Sequence, residues 1–245
     1  MPKKRLDVLL VERGLAETRA KAQALVLAGH VSASGTPATK PGTLMDEAAA
    51  IEVKQKDHPY VSRGGVKLSF ALEHFHIDPA GMICLDIGAS TGGFTDCLLQ
   101  KGAKKVWAVD VGVNQLAYSL RMDSRVVSLE KTNARNLPLD MITDEIGLVT
   151  ADVSFISLKL VIPPSLPFLA PGGRLALLVK PQFEAGPENV GKGGVVRDEK
   201  VRQEALEGII SYFSEAGLKF LGAVQSPITG AKGNVEFFVS FEKPG

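Results

Sequence analysis

From residue 81 onward, short apolar runs alternate with helix-forming stretches, and this alternation restricts the chain more than any other feature of its sequence. The runs fall at 82–87, 106–110, 125–130, 148–152 and 174–180. Strands joined by helical crossovers pair in parallel, because each helix returns the chain to the same end of the sheet, so the pattern predicts a doubly wound α/β fold. Two further runs, 220–224 and 235–241, flank the turn-rich 226–234 and predict a terminal antiparallel hairpin.

The first 58 residues follow another pattern. Leu6, Leu9, Leu10 and Leu15, then Ala20, Ala24, Leu25 and Leu27, recur at helical spacing and predict two short helices, the second stopped by Gly29. Val31 opens a strand, 35–37 and 40–42 supply turn residues, and Ala50-Ile51-Glu52-Val53 reads as the returning strand. A polar stretch at 54–59 follows. The expected organisation is a small α+β domain over 1–58, a linker at 59–64 and an α/β domain over 65–245.

Charge separates the same two regions. The net charge of +1 conceals 11 Lys+Arg against 7 Asp+Glu in residues 1–67, and 17 against 20 in the remainder. A basic end suggests an anionic partner, although a solvated face would carry the same surplus. Thr18 is a candidate N-cap, with Arg19 and Lys21 in the first turn, where cations oppose the helix dipole. A docked RNA phosphate would turn that cost into a gain, and Arg5 would add to the same charge. No apolar run reaches the roughly 20 residues that span a bilayer, and the charged start lacks the apolar stretch of a leader, so a cytoplasmic protein without membrane contact is expected. Cys84 and Cys97 have neither disulfide-framework numbers nor metal-ligand spacing and read as packing residues.

The run Ile83-Cys84-Leu85-Asp86-Ile87 feeds the loop Gly88-Ala89-Ser90-Thr91-Gly92-Gly93-Phe94 and then a helix, the position where this class of fold binds nucleotide-like ligands. A phosphate-cradling P-loop needs lysine where Phe94 stands, and Ala89-Ser90 breaks the dinucleotide fingerprint. What remains fits S-adenosylmethionine. The glycines permit close backbone approach, Asp86 could hold its amino group, Asp110 its ribose hydroxyls and Asn133 its adenine. All of these could equally be turn residues.

Four further polar residues stand at strand or helix ends. Asp152 closes 148–151, Lys180 closes the apolar 175–179, Lys67 follows Ser62-Arg63-Gly64-Gly65, and Glu236 interrupts the apolar final strand. Singly, each reads as well as a cap, a surface lysine or a solvent-facing strand position. The glycine-rich stretch 187–195 reads either as a lid or as an ordinary loop.

Two resemblances sharpen this reading. RLDVLLVERGLAETRAKAQALVLAGHVSASG, within residues 4–55, resembles the small RNA-binding domain named after a ribosomal small-subunit protein, departing from it at Ser32–Ser34, where relatives often carry a Val-Asn-Gly turn. SRGGVKL, LDIGASTGGFTD, ADVSFISL, LLVKPQFE and GNVEFF resemble the TlyA (hemolysin A) family, whose members join that domain to an FtsJ-like methyltransferase. The resemblance implies a Rossmann-like S-adenosylmethionine-dependent fold that 2′-O-methylates cytidine in ribosomal RNA within ribosomal subunits. It also implies a Lys67-Asp152-Lys180-Glu236 tetrad in which Lys180 deprotonates or orients the hydroxyl, with Asp152 also at the cofactor and Arg63 joining Arg5, Arg19 and Lys21 on the RNA. The alternatives are a non-catalytic ribosome-binding or assembly factor, and the pore-forming activity in the family's haemolysin name.

Overall fold

The computed structural model describes residues 3–27, 29–53 and 58–245. The chain divides into two compact units, 1–59 and 60–245. Residues 54–57 of the polar stretch lie outside the described residues. Tyr60 is buried in the core of the second unit, and the Val61 N–H donates to Asp96 Oδ2 at 2.7 Å, so residues expected to complete a linker instead belong to the larger unit.

The first unit contains β1 (Lys3–Arg5), α1 (Leu6–Glu12), α2 (Arg19–Leu27), β2 (Val31–Ala33), β3 (Thr36–Pro37), β4 (Leu44–Asp46) and β5 (Ile51–Val53). β2 pairs antiparallel with both β3 and β5, as the hairpin reading requires. β1 pairs with β4, a contact absent from the sequence reading, since Lys3-Lys4-Arg5 carries no apolar alternation. Thr18 Oγ1 accepts the Lys21 N–H at 3.2 Å, the expected N-cap bond. The apolar stripe of α2 differs from expectation: Ala22 and Val26 are buried, whereas Ala20, Ala24 and Leu27 are exposed. With alanines all round this helix, spacing alone offered two faces, and the one that meets Leu6 and Leu10 of α1 is Ala22–Val26.

The second unit opens with α3 (Gly64–His74), then β6 (Ile83–Ile87), α4 (Gly93–Gln100), β7 (Lys105–Val109), α5 (Tyr118–Arg121), β8 (Val126–Leu129), β9 (Ile146–Ala151) and α6 (Leu158–Val161). It closes with β10 (Leu169–Val179), α7 (Pro181–Glu184), α8 (Glu199–Glu215), β11 (Lys219–Gln225) and β12 (Phe237–Glu242). The seven strands stand in the order β11-β12-β10-β9-β6-β7-β8, parallel except for β12, which runs antiparallel to β10 and β11. The expected terminal hairpin is therefore present, with its second strand inserted beside β10.

Alternate side chains of each strand enter opposite layers. Leu85, Ile87, Val149 and Leu177 join one buried cluster, and Cys84, Leu148, Ala176 and Leu178 the other. The chain winds outward from β6 to β8 and then resumes on the other side of β6 with β9, leaving a crevice where the winding reverses. Register fixes what surrounds that crevice. Ile87 pairs with Ala151 and Val179 with Phe237, so Gly88, Asp152, Lys180 and Glu236 all follow or precede paired residues at the same sheet end.

Candidate active site

Two cavities of about 450 and 340 Å³ meet at that sheet end and share Gly88, Ser90, Asp152 and Ser154. Lys67, Asp152 and Lys180 line the larger together with Arg63 and most of the glycine loop. The smaller is lined by Asp110, Asn133 and the apolar side chains of Val111, Val153 and Ile156.

The loop approaches the chain too closely for side chains at its three glycines. Gly88 adopts φ +80°, and a Cβ there would lie 2.6 Å from the Asp152 carbonyl oxygen. A Cβ at Gly93 would lie 2.2 Å from Ser62 Oγ and 3.0 Å from the Gly65 nitrogen. Ala89, Ser90, Thr91 and Phe94 join them in lining the larger cavity. Gly92 does not. At φ +94° it faces Leu116 and Leu120, where a Cβ would lie 2.2 Å from Leu120 Cδ1, so the loop packs tightly against Leu120 of α5 at this position.

The Asp86 carboxylate is fully buried and accepts hydrogen bonds from Thr95 Oγ1 at 2.7 Å and Thr150 Oγ1 at 3.2 Å, so it braces β6 against α4 and β9. Burial drives its pKa from 3.8 to about 7, against the pull of the two hydroxyls. The folded chain thus retains a proton that the unfolded chain releases between about pH 4 and 7, and stability falls as pH rises through that window. A shift of about three units corresponds to roughly 4 kcal/mol, so Asp86→Asn is expected to flatten the pH dependence of the melting temperature and to exceed the parent in stability at pH 8. Parallel melting curves from pH 4 to 8 would contradict this account.

Asp110 closes β7 at the smaller cavity, holding the Ser90 N–H at 2.8 Å on one oxygen and the Gly112 N–H at 2.7 Å on the other. Asn133 caps the turn at 134–136 by accepting the Arg135 N–H at 3.0 Å. Each carboxylate oxygen of Asp110 keeps a free lone pair, and the Asn133 amide keeps its donors.

The four polar residues form two ion pairs. Lys67 Nζ lies 2.5 Å from Glu236 Oε2, and Lys180 Nζ lies 2.5 Å from Asp152 Oδ1. Lys180 also donates to Ser154 Oγ at 3.0 Å. Glu236 precedes β12 and is only 2% exposed, which corrects the solvent-facing reading. Gly230 makes room for it, since a Cβ there would lie 1.8 Å from Glu236 Oε1. The stretch 187–195 is tied to the turn before Glu236: Lys232 Nζ donates to the Gly193 carbonyl at 2.7 Å, and Asn234 Nδ2 to that of Gly194 at 2.9 Å.

Sequence reasoning missed Ser62 and Ser154, which carry no signal beyond adjacency to residues it had named. It also missed Phe155, 90% exposed at φ +64° with its ring 5.1 Å from Phe183, although a phenylalanine in a polar loop end was visible in the sequence. Both cysteines are buried, which raises their thiols to about 12 and supports packing roles. Among the expected RNA contacts, Arg63 lines the larger cavity, Lys21 pairs with Glu17, and Arg5 and Arg19 both pair with Asp7.

A doubly wound sheet with a glycine loop at its switch point and a lysine–carboxylate cluster beside it defines a class, and residues 60–243 match the FtsJ-like methyltransferase family, while 4–49 match the S4 domain. A candidate rRNA methyltransferase of Bacillus subtilis (strain 168), YqxC, is 51% identical over 99% of this chain and 87% of its own length. The 16S/23S rRNA (cytidine-2′-O)-methyltransferase TlyA of Mycobacterium tuberculosis is 47% identical over 96% of this chain and 88% of that protein. The solved structure of a candidate hemolysin from Streptococcus thermophilus, 45% identical, covers 100% of this chain and 90% of that one at a TM-score of 0.76. The chain belongs to the TlyA (hemolysin A) family of FtsJ-like methyltransferases.

Proposed function

We propose that this protein transfers a methyl group from S-adenosylmethionine to the ribose 2′-hydroxyl of cytidine in ribosomal RNA, acting in the cytoplasm on RNA within ribosomal subunits. The observation that carries the reading is the meeting of Lys67, Asp152 and Lys180 with the glycine loop around one cavity. The cofactor supplies an electrophilic methyl group. Gly88 and Gly93 line the cavity that takes its methionine end, and Asp110 and Asn133 offer acceptors and donors to its ribose and adenine from the adjoining cavity.

Lys180 holds the target hydroxyl. Asp152 and Ser154 occupy two of the three donor directions of its amine and leave one for the 2′-oxygen. To take the hydroxyl proton, Lys180 must first release one of its own, and Asp152 Oδ1 is the nearest acceptor. Lys67, fixed by Glu236, adds a second cation at the cavity wall.

Incubating the protein and S-adenosylmethionine with ribosomal subunits that lack the modification is expected to add 2′-O-methyl groups at discrete cytidines, mapped by resistance to alkaline cleavage. Asp110→Ala is expected to weaken cofactor binding about tenfold or more, since it removes a charged acceptor. Calorimetry giving an unchanged S-adenosylmethionine affinity in that variant would remove Asp110 from the site. Subunits without new methyl groups would refute the activity.

A further inference from the structure

Asp7 is fully buried in the first unit, yet two guanidinium groups that remain 44% and 55% exposed meet on it. Arg5 donates through Nε and Nη2 to its two oxygens at 3.0 and 2.9 Å. Arg19 Nε and Gln23 Nε2 donate to Oδ2 at 3.1 and 2.8 Å. These donors, Arg5 foremost, hold the Asp7 carboxyl far below the usual carboxylate range. The loop beside it is shaped to match. The Leu6 and Asp7 N–H groups donate to the carbonyls of Thr43 and Pro41, and Gly42 between them lies so close to Arg5 that a Cβ would stand 3.1 Å from Nη1.

We propose that Asp7 is a positioning residue that converges Arg5 and Arg19 on a single RNA phosphate, an inference that rests on the reading of this unit as RNA-binding. Two arginines side by side repel, and each loses side-chain freedom when a ligand fixes it. One buried carboxylate removes both obstacles before RNA arrives. It also leaves a net positive charge and unused N–H groups on Nη1 of Arg5 and both terminal nitrogens of Arg19, the donor array that a phosphate accepts best. Lys21 stands apart, paired with an exposed Glu17, and contributes no share of this site.

The test measures affinity of the full-length protein for ribosomal subunits lacking the modification, across a range of salt concentrations. Arg5→Ala and Arg19→Ala are each expected to weaken binding about tenfold, and the double variant little further. In all three the slope of log affinity against log salt should fall by roughly 0.7–0.9, the value for one phosphate. Asp7→Asn removes a negative charge, so general attraction to RNA rises, yet binding is expected to weaken about as much as in the arginine variants. Gly42→Ala, which displaces only the Arg5 guanidinium, should weaken binding several-fold at an unchanged melting temperature, and it decides the matter if Asp7→Asn does not fold. A purely structural Asp7 would lower the melting temperature without coupling the two arginines in RNA binding. Multiplying losses with a slope change twice as large would mean two phosphates and overturn the proposal while leaving the RNA-binding reading intact. Tighter binding by Asp7→Asn would overturn the positioning role. If neither arginine variant changed affinity, the RNA-binding assignment of these cations would itself fail.

Discussion

Lys180→Ala is expected to lower methyl transfer by at least about a hundredfold, the scale of a positioned acid–base group, while S-adenosylmethionine and ribosomal subunits still bind. The separation follows from the geometry. The glycine loop and Asp110, proposed to hold the cofactor, make no contact that depends on Lys180, and the arginines proposed to hold RNA belong to the other compact unit. Lys180→Arg is the sharper variant, because arginine keeps a cation and donors for the 2′-oxygen but does not give up a proton at working pH. Single-turnover rates in Lys180→Arg are expected to fall nearly as far as in the alanine variant. Rates close to the parent's would eliminate proton transfer to Lys180 and leave orientation of the hydroxyl as its contribution. The contact with Asp152 makes this distinction worth drawing, since a lysine held as an ion pair cannot accept a proton until the pair has passed one on.

The parallel, doubly wound class of the larger unit was legible because most of its strands are apolar runs bounded by turn residues, and parallel crossovers leave few ways to arrange such runs. The clustering of Asp152 and Lys180 was legible for the same reason: a residue that closes a parallel strand must emerge at the sheet end where ligands bind. What the sequence withheld are properties of partners distant along the chain. Asp86 stood out because it precedes the glycine loop, but Thr95 and Thr150 enclose it from α4 and β9, and no local pattern announces that enclosure. Glu236 looked solvent-facing because alternation in a strand has two faces, and Lys67, 169 residues earlier, decides which one is covered. In the first unit, β1 escaped notice since three charged residues in a row pair through backbone alone. The cations there were visible one by one, whereas their convergence on Asp7 was not.

The Lys67–Glu236 pair allows a large stability effect to be separated from chemistry. Both side chains are nearly buried, at 10% and 2% exposure, and each satisfies the charge of the other. Removing the carboxylate with Glu236→Ala would leave a nearly buried ammonium group without its partner, which costs up to roughly 3–5 kcal/mol. Replacing both partners with apolar residues of similar size, Lys67→Met with Glu236→Leu, removes the stranded charge along with the pair and is expected to restore stability to within about 1–2 kcal/mol of the parent. Methyl transfer should not return with it, because Lys67 lines the cavity beside Lys180 and Asp152 and no apolar side chain supplies a cation there. Urea denaturation of the single and double variants gives the stability half of the comparison, and single-turnover methylation gives the other. A double variant that is both stable and active would confine this ion pair to architecture and leave Lys180 and Asp152 as the whole of the polar machinery.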